Sequence, residues 1–270
     1  MVDPMERSWT SEDPPLGQSI DAAQVRPAPV GRVTDWTFRV EASGPVRWDW
    51  ALGPPEVHRL RPIRTPLSTE KSRHIPVQAH CHVTGTTLRL ESGLEYDLLL
   101  MLERDPQAVC MVPQPARLGI KLQDGRRTTH TPDLLMLDSA GAVTIWNARP
   151  TERQDDKFLR QSEATADACR EVGWSYRVFE GHSRPKKYNL RWLAAYRREM
   201  PWYETAKPEL TERCVAQRAT VGDIVEADHG AGHLVSAMWH FVWRGELLVD
   251  LEDRIGRGTP IVWKAGPTDG

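Results

Sequence analysis

The stretch that most constrains this chain runs from Ser92 to Arg149, where one capped helix is followed by short apolar runs set apart by turn signals. Ser92-Gly93-Leu94-Glu95 places a serine to cap a helix in which Leu94, Leu98, Met101 and Leu102 recur at helical spacing as far as about Arg104. Asp105-Pro106 ends it, because the residue before a proline is pushed out of helical geometry. Ala108 to Val112 and Ala116 to Leu122 then read as strands, followed by a Gln123-Asp124-Gly125-Arg126 turn. Two more strands flank an Asp138-Ser139-Ala140-Gly141 turn. The first opens at Thr131-Pro132-Asp133, and the second is Val143-Thr144-Ile145-Trp146-Asn147-Ala148-Arg149.

The flanking sequence extends this pattern. Residues 1–30 are rich in Pro, Asp, Glu and Ser and hold too little apolar surface to order themselves, so a disordered tail is expected. Residues 31–90 form a β-rich lead-in with runs such as Trp36 to Val40 and Thr86 to Leu90, interrupted by prolines. After Arg149, a helix is expected over 154–171 with Gly173 as its stop, then a strand from Trp174 to Phe179 and a helix from Tyr188 to Glu199. Alternating helices and strands make residues 91–200 an α/β core around a central mixed sheet. From Pro201 on, helices over 208–217, 220–227 and 232–243 precede strands at Glu246 to Leu251 and Thr259 to Trp263, so residues 201–270 read as a small winged-helix-like module.

Composition narrows the class. No run of about 18 apolar residues occurs, and the first 30 residues lack the charged start and apolar centre of a signal peptide, which points to a soluble cytoplasmic protein with no membrane partner. Cys81, Cys110, Cys169 and Cys214 lie far apart and form no CxxC pair, so reduced thiols are expected, not a zinc ribbon or a disulfide framework. His80-Cys81-His82 reads as a polar strand, since no second ligand pair follows at finger spacing. A formal net charge of −2 does not advertise nucleic-acid binding, so any such surface is local. The 11 tryptophans fall mostly in patterned segments where core packing is the default.

Within the α/β core, Glu95, Asp133, Asn147 and Arg149 are the residues with chemistry to offer. Hard carboxylates hold Mg²⁺ ions of the kind that assist phosphodiester cleavage. Residues 147 and 149 are two apart in a strand and share a face, while Asp133 opens the neighbouring strand. Each has a plainer use: Glu95 stands at the capping-box position after Ser92, and Asp133 after Thr-Pro suits a turn. Asn147 offers a carbonyl oxygen without negative charge. Arg149 stays protonated, so it can position water or neutralise phosphate but not remove a proton. Asp138, Glu152, Asp155 and Asp156 lie near enough in sequence to supply a missing oxygen. Separately, Arg184, Lys186, Lys187, Arg191, Arg197 and Arg198 interleave with Tyr188, Trp192 and Tyr196, a pattern that suits phosphate contact as well as a solvated helix face. Arg59, Arg61, Arg64, Lys71, Arg73 and His74 make a weaker second basic patch.

Taken in order, Glu91-Ser92-Gly93-Leu94-Glu95-Tyr96-Asp97, Asp105-Pro106, Gln114-Pro115, Thr131-Pro132-Asp133, Arg149-Pro150, Val172-Gly173-Trp174 with Tyr176, and Asn189-Leu190-Arg191-Trp192-Leu193 with Tyr196-Arg197 resemble the TnsA-like endonuclease subunits of heteromeric transposases. The resemblance spans roughly residues 60 to 200, and Trp243-Arg244-Gly245-Glu246-Leu247 with Asp250-Leu251 is similar to that family's C-terminal region. It implies a restriction-endonuclease-like core of the PD-(D/E)xK superfamily. With Mg²⁺, or Mn²⁺ in its place, such a core nicks double-stranded DNA at transposon ends beside an integrase-type transposase subunit. Carried over by motif, Glu95 and Asp133 match metal-binding positions and Gln114 a supporting polar position. Asn147 and Arg149 stand where the family has an acid and a lysine. The expectation is therefore a DNA endonuclease subunit with an altered site, with Lys186, Lys187, Arg191, Arg197 and Arg198 on DNA. Its rival is a catalytically silent subunit that binds DNA and the transposase, and an RNA-directed protein using the basic aromatic helix is a third reading.

Overall fold

A computed structural model describes residues 31–65, 76–216 and 219–264. The expected tail and Lys71, Arg73 and His74 of the second basic patch lie outside these residues. The chain is a mixed α/β protein with several sheets and six α-helices among the described residues.

The lead-in forms part of the core. Strand β1 (Gly31–Val40) pairs antiparallel with short β2 (Pro45–Arg47) and β3 (Leu60–Arg61), and hairpin β4 (Val77–Cys81) with β5 (Thr86–Leu90) follows. Helix α1 (Gly93–Glu103) leads to β6 (Ala108–Pro113), β7 (Ala116–Leu122), β8 (Arg127–His130), β9 (Leu134–Asp138) and β10 (Val143–Ala148). Helix α2 (Asp156–Glu171) crosses over to β11 (Ser175–Phe179). Sheet one has the order β2-β1-β7-β8, with β3 also on β1. Sheet two has the order β11-β10-β9-β6, with β10 and β11 parallel and its other pairs antiparallel. β8 is not expected from the sequence, because Arg-Thr-Thr-His offers no apolar residue to mark a strand. β1 runs the length of β7 with a bulge between Val33 and Asp35, and Gly119 on β7 leaves room there for the Asp35 carboxylate.

Sheet two is the middle layer. On one face Cys110, Val112, Leu135, Val143 and Ile145 share a core with Val33, Trp36, Phe38, Leu118 and Ile120 of sheet one and with Ala164, Ala168 and Cys169 of α2. On the other face Met111, Leu134, Met136, Trp146 and Phe179 pack on Leu98, Leu99 and Leu102 of α1 and on the β4–β5 hairpin. α1 is buried on every side, as its leucine-rich sequence allows: Leu100 points instead into a third core built by the C-terminal helices.

That third core holds α3 (Arg184–Leu193), α4 (Tyr203–Ala216), α5 (Val221–Ala227) and α6 (His233–Arg244). α3 starts four residues earlier than the sequence suggests, since Ser183 caps it and Pro185 occupies its first turn. A one-turn helix, Ala194–Tyr196, takes the place of its expected C-terminal half. The expected closing strands shrink to β12 (Leu247–Leu248) and β13 (Val262–Trp263). Arg104, just past α1, donates from Nε to the Trp243 carbonyl at 2.8 Å and so covers the end of α6. No helix among the described residues is long and apolar enough to cross a membrane.

The face between sheet one and α2 is fixed by aromatic packing. Phe38 is fully buried and meets Trp36, Trp48, Trp50 and Trp174 with ring centroids 5.8 to 6.2 Å apart. Phe38→Ala is expected to cost about 3–5 kcal/mol, read as a lower urea midpoint together with loss of near-ultraviolet tryptophan dichroism. A cost below about 1 kcal/mol would show that this cluster does not set the packing of sheet one.

Candidate active site

The acidic pair assembles where β6 ends, β9 begins and β10 ends. Glu95 lies in the first turn of α1 and is only 4 % exposed. Ser92 caps the helix by accepting from the Glu95 amide at 3.2 Å. The carboxylate returns the favour one residue earlier than a capping box requires, since Glu95 Oε2 accepts from the Glu91 amide at 2.8 Å and Oε1 accepts from Ser92 Oγ at 3.0 Å. The same carboxylate thus makes the capping contacts and also accepts from Gln114 Nε2.

Asp133 immediately precedes β9. Its amide donates to the Trp146 carbonyl at 3.0 Å, and its Oδ2 accepts from the Ala148 amide at 2.7 Å. Leu134 pairs with Trp146, so continuing the register one step sets Asp133 opposite Asn147. Gln114 links the two acids: its amide donates to the Asp133 carbonyl at 2.9 Å and its Nε2 donates to Glu95 Oε2 at 3.3 Å. It does so with φ of 41°, a left-handed conformation that a non-glycine residue adopts only under constraint.

Asn147 is 2 % exposed and its Nδ2 lies 3.0 Å from His130 Nε2, at the end of β8. His130 has no apolar signal in the sequence beyond standing three residues before Asp133. Burial holds its imidazole at a pKa of about 4, so it is neutral at physiological pH. Arg149 follows β10. Its Nε donates to the Arg153 carbonyl at 2.7 Å and its guanidinium lies 5.5 Å from the centre of the Phe158 ring, while its charge still favours ionised Asp133.

Among the four nearby acids, Asp138 accepts from the amides of Ala140 and Ala142, and Asp155 caps α2 by accepting from Phe158. Glu152 and Asp156 are exposed on a one-turn helix and at the start of α2. The acid that bears on the site is instead Glu91, which disfavours ionised Asp133 and pairs with Arg64 at 2.8 Å. Tyr176 also neighbours Asp133, and its buried hydroxyl donates to Ser162 Oγ at 2.9 Å.

Both site carboxyls hold their protons more tightly than usual. Burial is the main cause for each; for Glu95 the charge of Asp133 adds to it. Two buried side-chain oxygens, Gln114 Oε1 and Asn147 Oδ1, meet no donor among the described residues. Carboxylate and amide oxygens are the donor types that a hard divalent cation of the Mg²⁺ type takes. No cluster of three or more His, Cys, Asp or Glu side chains suited to a metal occurs among the described residues, so a cation here would draw on the amides.

The basic segment from Arg184 to Arg198, which is α3 and the turn beyond it and not one helix, is largely engaged in holding the fold. Arg191 donates from Nε to Asp97 Oδ1 at 2.6 Å and also reaches the Gly93 carbonyl at the start of α1. Arg197 donates to the His80 carbonyl at 2.9 Å and lies 3.7 Å from Glu103, with its side chain only 14 % exposed. Lys186 pairs with Glu252 at 3.0 Å, and Lys187 lies over the Tyr188 ring. Arg198 and Arg184 remain at the surface, and Trp192 packs edge-on against Trp239 while keeping 44 % exposure.

No protein-family model matches this chain, and no curated protein matches it either.

The acids make stability depend on pH with a definite sign. Their pKa values are raised on folding, so above the ordinary carboxylate range near pH 4 the unfolded chain releases protons that the folded chain keeps. Stability contributed by this pair is therefore lost as pH rises toward neutrality. The urea midpoint of the cation-free wild type is expected to fall between about pH 5 and about pH 7.5 more steeply than that of Asp133→Asn. Parallel slopes would show that the pair titrates normally.

Proposed function

We propose that this chain is a DNA endonuclease subunit of the TnsA-like kind, built on a restriction-endonuclease-like core with a winged-helix-like C-terminal module. It cuts double-stranded DNA at transposon ends by metal-assisted phosphodiester hydrolysis, alongside an integrase-type transposase subunit. One observation carries this reading: Glu95 from α1 and Asp133 just before β9, 38 residues apart in sequence, meet around Gln114 at one end of sheet two, beside two buried oxygens that no donor among the described residues satisfies.

Glu95 and Asp133 would hold Mg²⁺, with Asn147 and Gln114 lending neutral oxygens. A bound cation supplies Lewis-acid activation of the phosphodiester and relief of charge on the leaving oxygen. Binding displaces the protons that burial keeps on the two carboxyls, so affinity rises with pH up to neutrality. Arg149 binds the scissile phosphate once its guanidinium leaves the Arg153 carbonyl and the Phe158 ring. As a permanent cation it neutralises charge and does not serve as the base. Arg184 and Lys187 of α3, with Arg198 beyond its end, are the cations of the basic segment best placed to meet the DNA backbone.

A second reading has its own observation. With no acid at 147, no lysine at 149, and Arg149 engaged within its own loop, the chain would be a silent subunit that binds DNA and the transposase.

Calorimetric titration of Mn²⁺ separates the two without any partner. Wild type is expected to bind and Asp133→Ala to lose binding by at least about tenfold, with loss of nicking by the assembled complex. No binding by either protein favours the silent subunit. Asn147→Glu with Arg149→Lys is then informative: a large gain in nicking marks a site disabled in the native chain.

A further inference from the structure

We infer that His130 is a positioning residue for Asn147: its Nε2 accepts a hydrogen bond from Asn147 Nδ2 at 3.0 Å, leaving Oδ1 as the end of the amide offered to a cation beside Asp133. This rests on the metal-binding reading of the Glu95–Asp133 site.

An amide is asymmetric where a carboxylate is not. A carboxylate presents an oxygen whichever way it turns, so an aspartate at position 147 would need no instruction. An asparagine of the same shape presents either a carbonyl oxygen, which attracts a cation, or an NH₂ group, which repels one. Shape alone does not choose between the two, because both orientations fill the same volume. A neighbour that only accepts at the contact point does choose, since it must be met by the donor end.

His130 is placed to be that neighbour. It ends β8, which pairs with β7, so its backbone belongs to sheet one, whereas Asn147 belongs to β10 in sheet two. The contact thus crosses between the two sheets. Asn147 has almost no solvent to reorient into, and its Oδ1 meets no donor among the described residues. An unpaired buried carbonyl is unfavourable in the cation-free protein. It becomes useful when a cation arrives, and the histidine keeps the amide from relieving the cost by rotating. With Nε2 accepting, the ring proton sits on Nδ1, so this amide orientation requires the Nδ1–H tautomer of His130. His130 itself is then not a ligand, because the lone pair that would coordinate is already engaged.

Two measurements test this. The first is a histidine-selective ¹⁵N spectrum of the cation-free wild type at neutral pH, in which His130 is expected as the Nδ1–H tautomer with Nε2 unprotonated. An Nε2–H tautomer would overturn the proposal, because the histidine would then donate to Oδ1 and turn the NH₂ toward the site.

The second is Mn²⁺ affinity across a small set of variants, with thermal melting to confirm folding. His130→Leu is expected to weaken binding roughly 10- to 100-fold. His130→Gln, whose carbonyl can still accept from Asn147, is expected to bind like wild type. In an Asn147→Asp background, His130→Leu is expected to change nothing. A loss of equal size in both backgrounds would overturn the proposal and make His130 a packing residue. If wild type binds no Mn²⁺ at all, the metal reading fails and this proposal with it, whereas binding indifferent to His130 removes the proposal alone.

Discussion

Gln114 is the residue on which the arrangement of the acids depends. Its amide donates to the Asp133 carbonyl, its carbonyl accepts from the Ile63 amide at 2.9 Å, and its side chain donates to Glu95. Three segments that are distant in sequence meet on one residue. Pro113 and Pro115 flank it, and a residue before proline is disfavoured in right-handed helical geometry, which narrows what the β6–β7 corner can adopt. The left-handed backbone is a local strain held by three outside contacts and two prolines, as strained residues at functional sites commonly are.

The layer order explains the electrostatics of the site. Sheet two is covered on both faces, so side chains at its end enter a dehydrated setting from either side. Two carboxyls placed there are unfavourable as anions unless something compensates, and the nearby cations compensate only in part. Arg64 is shared with Glu91, and Arg149 leans on Phe158. The proton is the default compensation and a divalent cation the alternative.

Much of this was legible because it depends on local rules. α1 shows itself by Ser92, leucine spacing and Asp105-Pro106, and β5 by its own run of Thr and Leu. The pairing of residues 133 and 147 follows from a hairpin whose turn is written in Asp138 to Gly141. What remained hidden depends on partners far away in the chain. Basic spacing from Arg184 to Arg198 reveals cations but not that Asp97, Glu103 and Glu252 claim three of them, Arg191, Arg197 and Lys186. β8 is a strand because β7 offers an edge, not because its residues prefer one. His130 has no meaning until sheet one is laid over sheet two.

α1 serves two cores at once, and its neighbours arrive at very different times during synthesis. Leu98, Leu99 and Leu102 find β6, β9 and β10 within the next fifty residues of chain, while Leu100 waits for the C-terminal helices. The Arg104–Trp243 hydrogen bond joins residues 139 apart. Contacts of such separation close late, because the loop entropy must be met before they stabilise anything. A nascent chain that has completed the α/β layers therefore still carries Leu100 and the start of α3 without their cover. Chaperone engagement and aggregation during folding would centre there until α4, α5 and α6 have emerged to close the third core.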